Sequence, residues 1–209
     1  MIVRRVTLGP FQENAYLVVD EETRRAVLVD PGDDGERLVA AAAADGAELE
    51  AVWLTHAHVD HVGGIAGVKR GADVPVYLHP LDRPLYDAAE RHGLVFGLRV
   101  EPPPPPDRDL ADGDTLTVGS LAFQVMHVPG HAPGHVVIYG HGVAFVGDCL
   151  FAGSIGRTDL PLANGAQLAR SLERITSLPD ETVVYPGHGR DTTVGQERPH
   201  LQEWIDRGW

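Results

Sequence analysis

Seven residues in the middle of one segment of this 209-residue chain concentrate its chemistry: Thr55-His56-Ala57-His58-Val59-Asp60-His61, followed by Val62-Gly63-Gly64. Imidazole nitrogens and a carboxylate so close in sequence are the donor set that holds Zn²⁺ at about 2.0–2.2 Å and, with more oxygen, iron or manganese. On a loop leaving a strand, His56 and His58 can face one point while Asp60 and His61 face another a few ångströms away. Gly63 and Gly64 let the chain turn tightly beneath them. Asp60 alone would read as a helix cap; with three His around it, the segment reads as metal ligands.

Further candidates stand downstream. His131 lies in the stiff turn His127-Val128-Pro129-Gly130-His131-Ala132-Pro133-Gly134-His135, Asp148 follows the apolar Val143 to Val146 and Gly147, and His188 closes Tyr185-Pro186-Gly187-His188. Each sits where a strand passes into a loop, so one rim of the fold should gather them all. Five His and two Asp suffice for two metal sites that share one carboxylate. His127 and His135 are expected to support the His131 turn or the ligands from outside, and His79, His92, His141 and His200 to be solvated. The Thr55 hydroxyl either supports a ligand or makes a loop contact. Cys149 would point away from Asp148 on an extended strand and be buried.

The elements that must position these groups are short. Val3 to Leu8, Ala15 to Val19 and Arg25 to Val29 read as a β-meander. Asp33 with Glu36 suggests a capping box for a helix running to Ala44 and stopped at Gly46. Val52 to Leu54 and Val74 to Leu78 read as strands, His79-Pro80 as the start of a helix ending near Gly93, and Leu98 to Val100 has no assignment. Pro102 to Pro106 must be extended, and reads as a rigid surface connection, since strand-like sequence resumes at Thr115 to Val118 and Leu121 to His127. Val136 to Tyr139 and Val143 to Val146 form a hairpin about Gly140-His141-Gly142. A helix follows from Asn164 to about Ser177, then a strand from Thr182 to Tyr185 and a helix from Gln196 to Asp206. Two sheets with helices outside both accommodate this order.

Composition narrows the partners. Seventeen Lys+Arg against 30 Asp+Glu give a net charge of −13, so a nucleic acid or an anionic membrane meets repulsion over most of the surface. One Cys permits no internal disulfide, no apolar run reaches the length of a membrane span, and the first residues do not read as a signal peptide. The expected location is the cytoplasm.

From the Asp30-Pro31-Gly32 turn through His56-x-His58-x-Asp60-His61, His131, Asp148 and His188, the sequence resembles the metallo-β-lactamase superfamily. The resemblance implies an α/β (α+β) fold, a four-layer αββα sandwich forming a single domain over residues 1–209, with the metals at one edge of the sheets. It further implies that His56, His58 and His131 hold a first metal, that Asp60, His61 and His188 hold a second, and that Asp148 bridges them. Gly147-Asp148-Cys149-Leu150-Phe151 and Gly153-Ser154-Ile155-Gly156-Arg157-Thr158-Asp159 are similar to the short glyoxalase II-like (hydroxyacylglutathione hydrolase-like) proteins. The Gly-Arg-Thr-Asp part also occurs in the related persulfide dioxygenases.

The activity so implied is hydrolysis of S-lactoylglutathione or a similar S-acyl thiol. Two divalent ions, zinc first with iron or manganese as alternatives, would lower the pKa of water to about 7, and Asp60 would orient the resulting hydroxide. The rival is a persulfide dioxygenase with one Fe(II) on His56, His131 and Asp148; a lesser one is a non-catalytic metal-binding protein. Two departures stand out. The C-terminal helical domain that contacts glutathione in full-length glyoxalase II enzymes is not expected here, since only about 20 residues follow His188. The Lys and Tyr that follow the bridging Asp there are also missing, so that Arg157 either binds a substrate carboxylate or pairs with Asp159 and braces its loop. Two dications outweigh the carboxylates of Asp60 and Asp148, so an acidic protein can still attract a small anionic thiol ester.

Overall fold

The structure is a computed structural model that describes residues 1–207; the last two residues of the expected domain lie outside the described residues. Strands β1 (Ile2–Leu8), β2 (Glu13–Val19) and β3 (Arg25–Val29) form the meander, followed by helix α1 (Gly35–Ala44) and strand β4 (Glu48–Trp53). Helices α2 (Val59–Val62) and α3 (Ile65–Gly71) precede β5 (Val76–Leu78), α4 (Arg83–Tyr86), α5 (Ala89–Val95) and β6 (Arg108–Asp109). The second half runs β7 (Thr115–Val118), β8 (Leu121–His127), β9 (Val136–Gly140), β10 (Val143–Gly147), β11 (Leu150–Phe151), β12 (Ser154–Ile155) and α6 (Gly165–Ile175). It closes with β13 (Val183–Pro186), β14 (Thr192–Thr193), α7 (Val194–Glu197) and α8 (Leu201–Arg207).

Two six-stranded sheets, ordered β1-β2-β3-β4-β5-β6 and β14-β13-β10-β9-β8-β7, stack face to face, with β11-β12 as a small separate hairpin. All seven residues of β2 are buried, because both faces of its sheet are covered. The period-2 alternation then sorts its side chains. Tyr16 and Val18 join Trp53, Phe123 and Phe145 between the sheets, whereas Ala15, Leu17 and Val19 meet Leu38, Ile65 and Val68 from α1 and α3 on the outside. On the other outer face, Leu168, Leu172 and Ile175 recur at helical spacing along α6 and pack with Trp204 against Val137, Ala144 and Val184. The layers are therefore helix, sheet, sheet, helix. Among the described residues, no helix is long and apolar enough to cross a membrane.

Several boundaries differ from expectation. No capping box opens α1: it begins at Gly35 after Asp34 in the left-handed region at φ 43°, and Glu36 turns outward to Arg70. The helix expected from His79 to Gly93 divides into a 3₁₀ turn at Pro80–Asp82 and the short α4 and α5. The C-terminal helix is likewise divided by the 3₁₀ turn Arg198–His200, where Pro199 withholds an N–H from the ladder. Pro102 to Pro106 lies along the domain surface, where the Tyr86 hydroxyl donates to the Pro104 carbonyl at 2.7 Å.

Candidate metal centre

Every candidate ligand lies on one rim, in a segment that follows a strand. His56 and His58 leave β4, and Asp60 and His61 occupy the single turn of α2. His131 lies between β8 and β9, Asp148 follows β10, and His188 follows β13. The two sheets are stitched there: Asn14 N–H donates to Gly187 O at 2.8 Å, the Tyr16 hydroxyl to Pro186 O at 2.7 Å, and Val136 N–H to Thr55 O at 2.8 Å. Gly147, at φ 48°, bends the chain where β10 slips register against β13, and this turns Asp148 inward.

His56 Nε2 and His131 Nε2 approach His58 Nδ1 to 3.0 and 2.9 Å. A tetrahedral ion bound by nitrogen at about 2.05 Å would separate its ligands by roughly 3.3 Å, so the three imidazoles stand near that geometry. Asp60, His61 and His188 form a second cluster whose donor atoms lie within 4.8 Å of one another, with Asp60 Oδ2 3.2 Å from His188 Nε2. Asp148 stands between the clusters, 3.6 Å from His131 Nε2, 3.4 Å from His61 Nε2 and 3.5 Å from His188 Nε2. His61 Nε2 and Asp148 Oδ1 are buried and find no hydrogen-bond partner. Buried polar atoms are seldom left unpaired, and these two atoms, 3.4 Å apart, suit a shared cation.

The surrounding hydrogen bonds set which ring nitrogen faces the centre. His61 Nδ1 donates to Asp30 Oδ2 at 3.0 Å, and His131 Nδ1 donates to the Arg157 carbonyl at 2.9 Å. The Thr55 hydroxyl donates to Asp30 and stands 3.1 Å from His56 Nδ1, so it supports a candidate ligand from outside. Burial holds His56 well below the ordinary imidazole range and His58 down to about 3, which leaves both neutral and able to donate lone pairs. Burial would also lower His61, but Asp148, Asp30 and Asp60 around it raise it well above the usual value. Burial opposes ionisation of Asp148, and His61, His131 and His188 outweigh it to keep the carboxylate charged.

The supporting His behave in different ways. His135 stacks on His56 at 4.6 Å, and its Nε2 accepts from Asp148 N–H at 3.1 Å. His127 bonds the Pro133 carbonyl at 2.9 Å, inside the His131 turn. His79, expected in solvent, is buried: it stacks on His127 at 4.2 Å and caps the following 3₁₀ turn through Nδ1. Cys149 is buried, 3.5 Å from His135 Nδ1. Arg157 makes a two-pronged pair with Asp159 at 2.7 and 2.8 Å, which favours its bracing role.

Three acids escaped the sequence reading. Asp30 is more than a turn residue, since it takes Thr55 N–H, the Thr55 hydroxyl and His61. Asp82 is fully buried and accepts from Ala57 N and Gly134 N, tying the His56 loop to the His131 loop. Glu13 is buried with both carboxylate oxygens unpartnered, 3.8 Å from His61 Nδ1, and burial pushes its pKa well up. Only the Asp30-Pro31-Gly32 turn carried a signal in sequence.

Residues 8–188 match the family described as the metallo-beta-lactamase superfamily. The chain is 34% identical over 203 residues to hydroxyacylglutathione hydrolase GloC of Haemophilus influenzae, covering 95% of each chain. Among solved structures, TTHA1623 in a di-iron-bound form superposes with a TM-score of 0.87 at 50% identity, covering 94% of this chain and 97% of that one. ETHE1 from Myxococcus xanthus superposes with a TM-score of 0.80 at 30% identity, covering 99% and 85%.

Proposed function

The chain belongs to the metallo-beta-lactamase superfamily, and from that premise we propose that it is a glyoxalase II-like hydrolase of thioesters with two divalent metal ions. The observation that carries this reading is Asp148 placed between two clusters of candidate ligands. His56, His58 and His131 would hold one ion, and Asp60, His61 and His188 the other. The unpartnered His61 Nε2 and Asp148 Oδ1 fit that assignment. Zinc and iron both suit such nitrogen and oxygen donors, and the likeness to a di-iron protein supports iron beside zinc.

When bound, the ions supply Lewis acidity to a thioester carbonyl and bring the pKa of water toward about 7. The chain's own contribution is orientation. Asp60 would orient the attacking water, held in place by its 3.2 Å contact with His188. Asp30 and the Arg157 carbonyl hold the rings of His61 and His131 with Nε2 inward. A thiolate leaves with little need of a proton donor. The substrate class is the S-acyl thiols, with S-lactoylglutathione as the reference compound to assay.

Metal analysis of purified protein with hydrolysis of S-lactoylglutathione and of simple thioesters tests this. Two metal ions per chain with turnover support the reading, and Asp60→Ala should then lower kcat at least about 100-fold. One iron per chain with oxygen uptake on glutathione persulfide, the behaviour of a dioxygenase, overturns it.

A further inference from the structure

Five of the seven candidate ligands, His58, Asp60, His131, Asp148 and His188, form the floor of a cleft of about 690 Å³, and its walls have a different character from its floor. On one side stand Phe11 and Phe96, packed edge to face at 5.1 Å, with Val95 beside them. On the other stand Phe151, Leu160 and Pro161, from the segment that follows Asp148. Leu94, Val95 and Phe96 are 63%, 77% and 57% exposed in a single run, a grouping that exceeds the scattered apolar residues of an ordinary surface.

One guanidinium lines the cleft, that of Arg157, and Asp159 already holds it through two hydrogen bonds. A peptidyl thiol with two carboxylates would find little to pair with. We propose that the substrate is a thioester with an apolar acyl group, a medium-length alkyl or aryl chain that lies between the Phe11–Phe96 wall and the Phe151–Leu160 wall. This rests on the thioesterase reading and names its substrate class. The chain's burial supplies binding in proportion to its apolar area, while the polar floor receives the thioester carbonyl.

Binding separates this inference from the catalytic reading. The probes are N-acetylcysteamine thioethers with ethyl, butyl, hexyl and octyl groups, which cannot be hydrolysed, titrated calorimetrically against the metal-loaded protein. Each buried methylene should tighten binding roughly three- to four-fold, so the octyl probe, six methylenes longer, should bind about 700- to 4,000-fold more tightly than the ethyl. Phe96→Ser and, from the opposite wall, Leu160→Ser should each cut that ratio about ten-fold. The N-acetylcysteamine thioesters of matching length should show the same order in kcat/KM. Affinity that is flat with chain length, or S-methylglutathione binding more tightly than the octyl probe, overturns the inference and leaves a hydrolase of other thioesters standing. Tight octyl binding without turnover of any thioester overturns the hydrolase reading and leaves the apolar ligand class in place.

Discussion

The Nδ1 atom of His61 lies 3.0 Å from Asp30 Oδ2, with both residues buried. That contact fixes the tautomer of a candidate ligand, and the same carboxylate takes the Thr55 N–H at 2.7 Å at the head of the His56 loop. Asp30→Ala should therefore loosen both clusters and act first on the one that contains His61. Affinity for the second metal should fall about 10- to 100-fold, as read by competition with a chromophoric chelator. Asp30→Asn retains an acceptor for Thr55 and should lose less.

Asp82 links two loops that no pattern in the sequence connects. Its carboxylate accepts from Ala57 N and Gly134 N, and Asp82→Ala would leave both buried donors without partners. The expected cost is roughly 2–4 kcal/mol in urea unfolding, with Asp82→Asn in between because its amide offers one oxygen. The metal content of the folded fraction should fall too, since Ala57 separates His56 from His58.

The seven candidate ligands were legible because they cluster at strand ends in a spacing that solvated residues rarely show. Four layers followed from strands and helices that alternate in two halves. Asp82 and Glu13 were not legible: each is a single acid whose partners, Gly134 or His61, stand far away in sequence, and an acid alone reads as surface. Strands β6, β11 and β12 have two residues each, too short for any alternation to register. His79 misled for a related reason, since it stacks on His127 at the end of β8, a contact between segments far apart in sequence.

That stacking gives a pH dependence with a definite sign. Burial, with His127 adjacent, holds His79 down to about 4 from the ordinary value near 6.5. In this window the unfolded chain binds the proton and the folded chain does not, so stability is lost as pH falls from about 6.5 toward 4. His79→Asn keeps an acceptor to cap Leu81 N and removes the titrating group. The loss in urea midpoint between pH 7 and pH 4.5 should be smaller in this variant than in the parent; an equal loss would show that His79 is protonated equally in both states.

Gly187 tests the shared position of Asp148 directly. A Cβ at Gly187 would stand 2.2 Å from Asp148 Oδ1 and 2.6 Å from His61 Cε1, so Gly187→Ala must displace the carboxylate that stands between the two clusters. Misplacement of reacting groups by about 1 Å costs on the order of 100-fold in rate, and metal content should fall with activity. Gly189 provides the contrast: a Cβ there meets nothing within 4 Å, but its φ is 79°. Gly189→Ala should destabilise the chain by about 1–2 kcal/mol through backbone strain while retaining its metal. If the two variants lost metal equally, the loop's conformation rather than the space beside Asp148 would govern the centre.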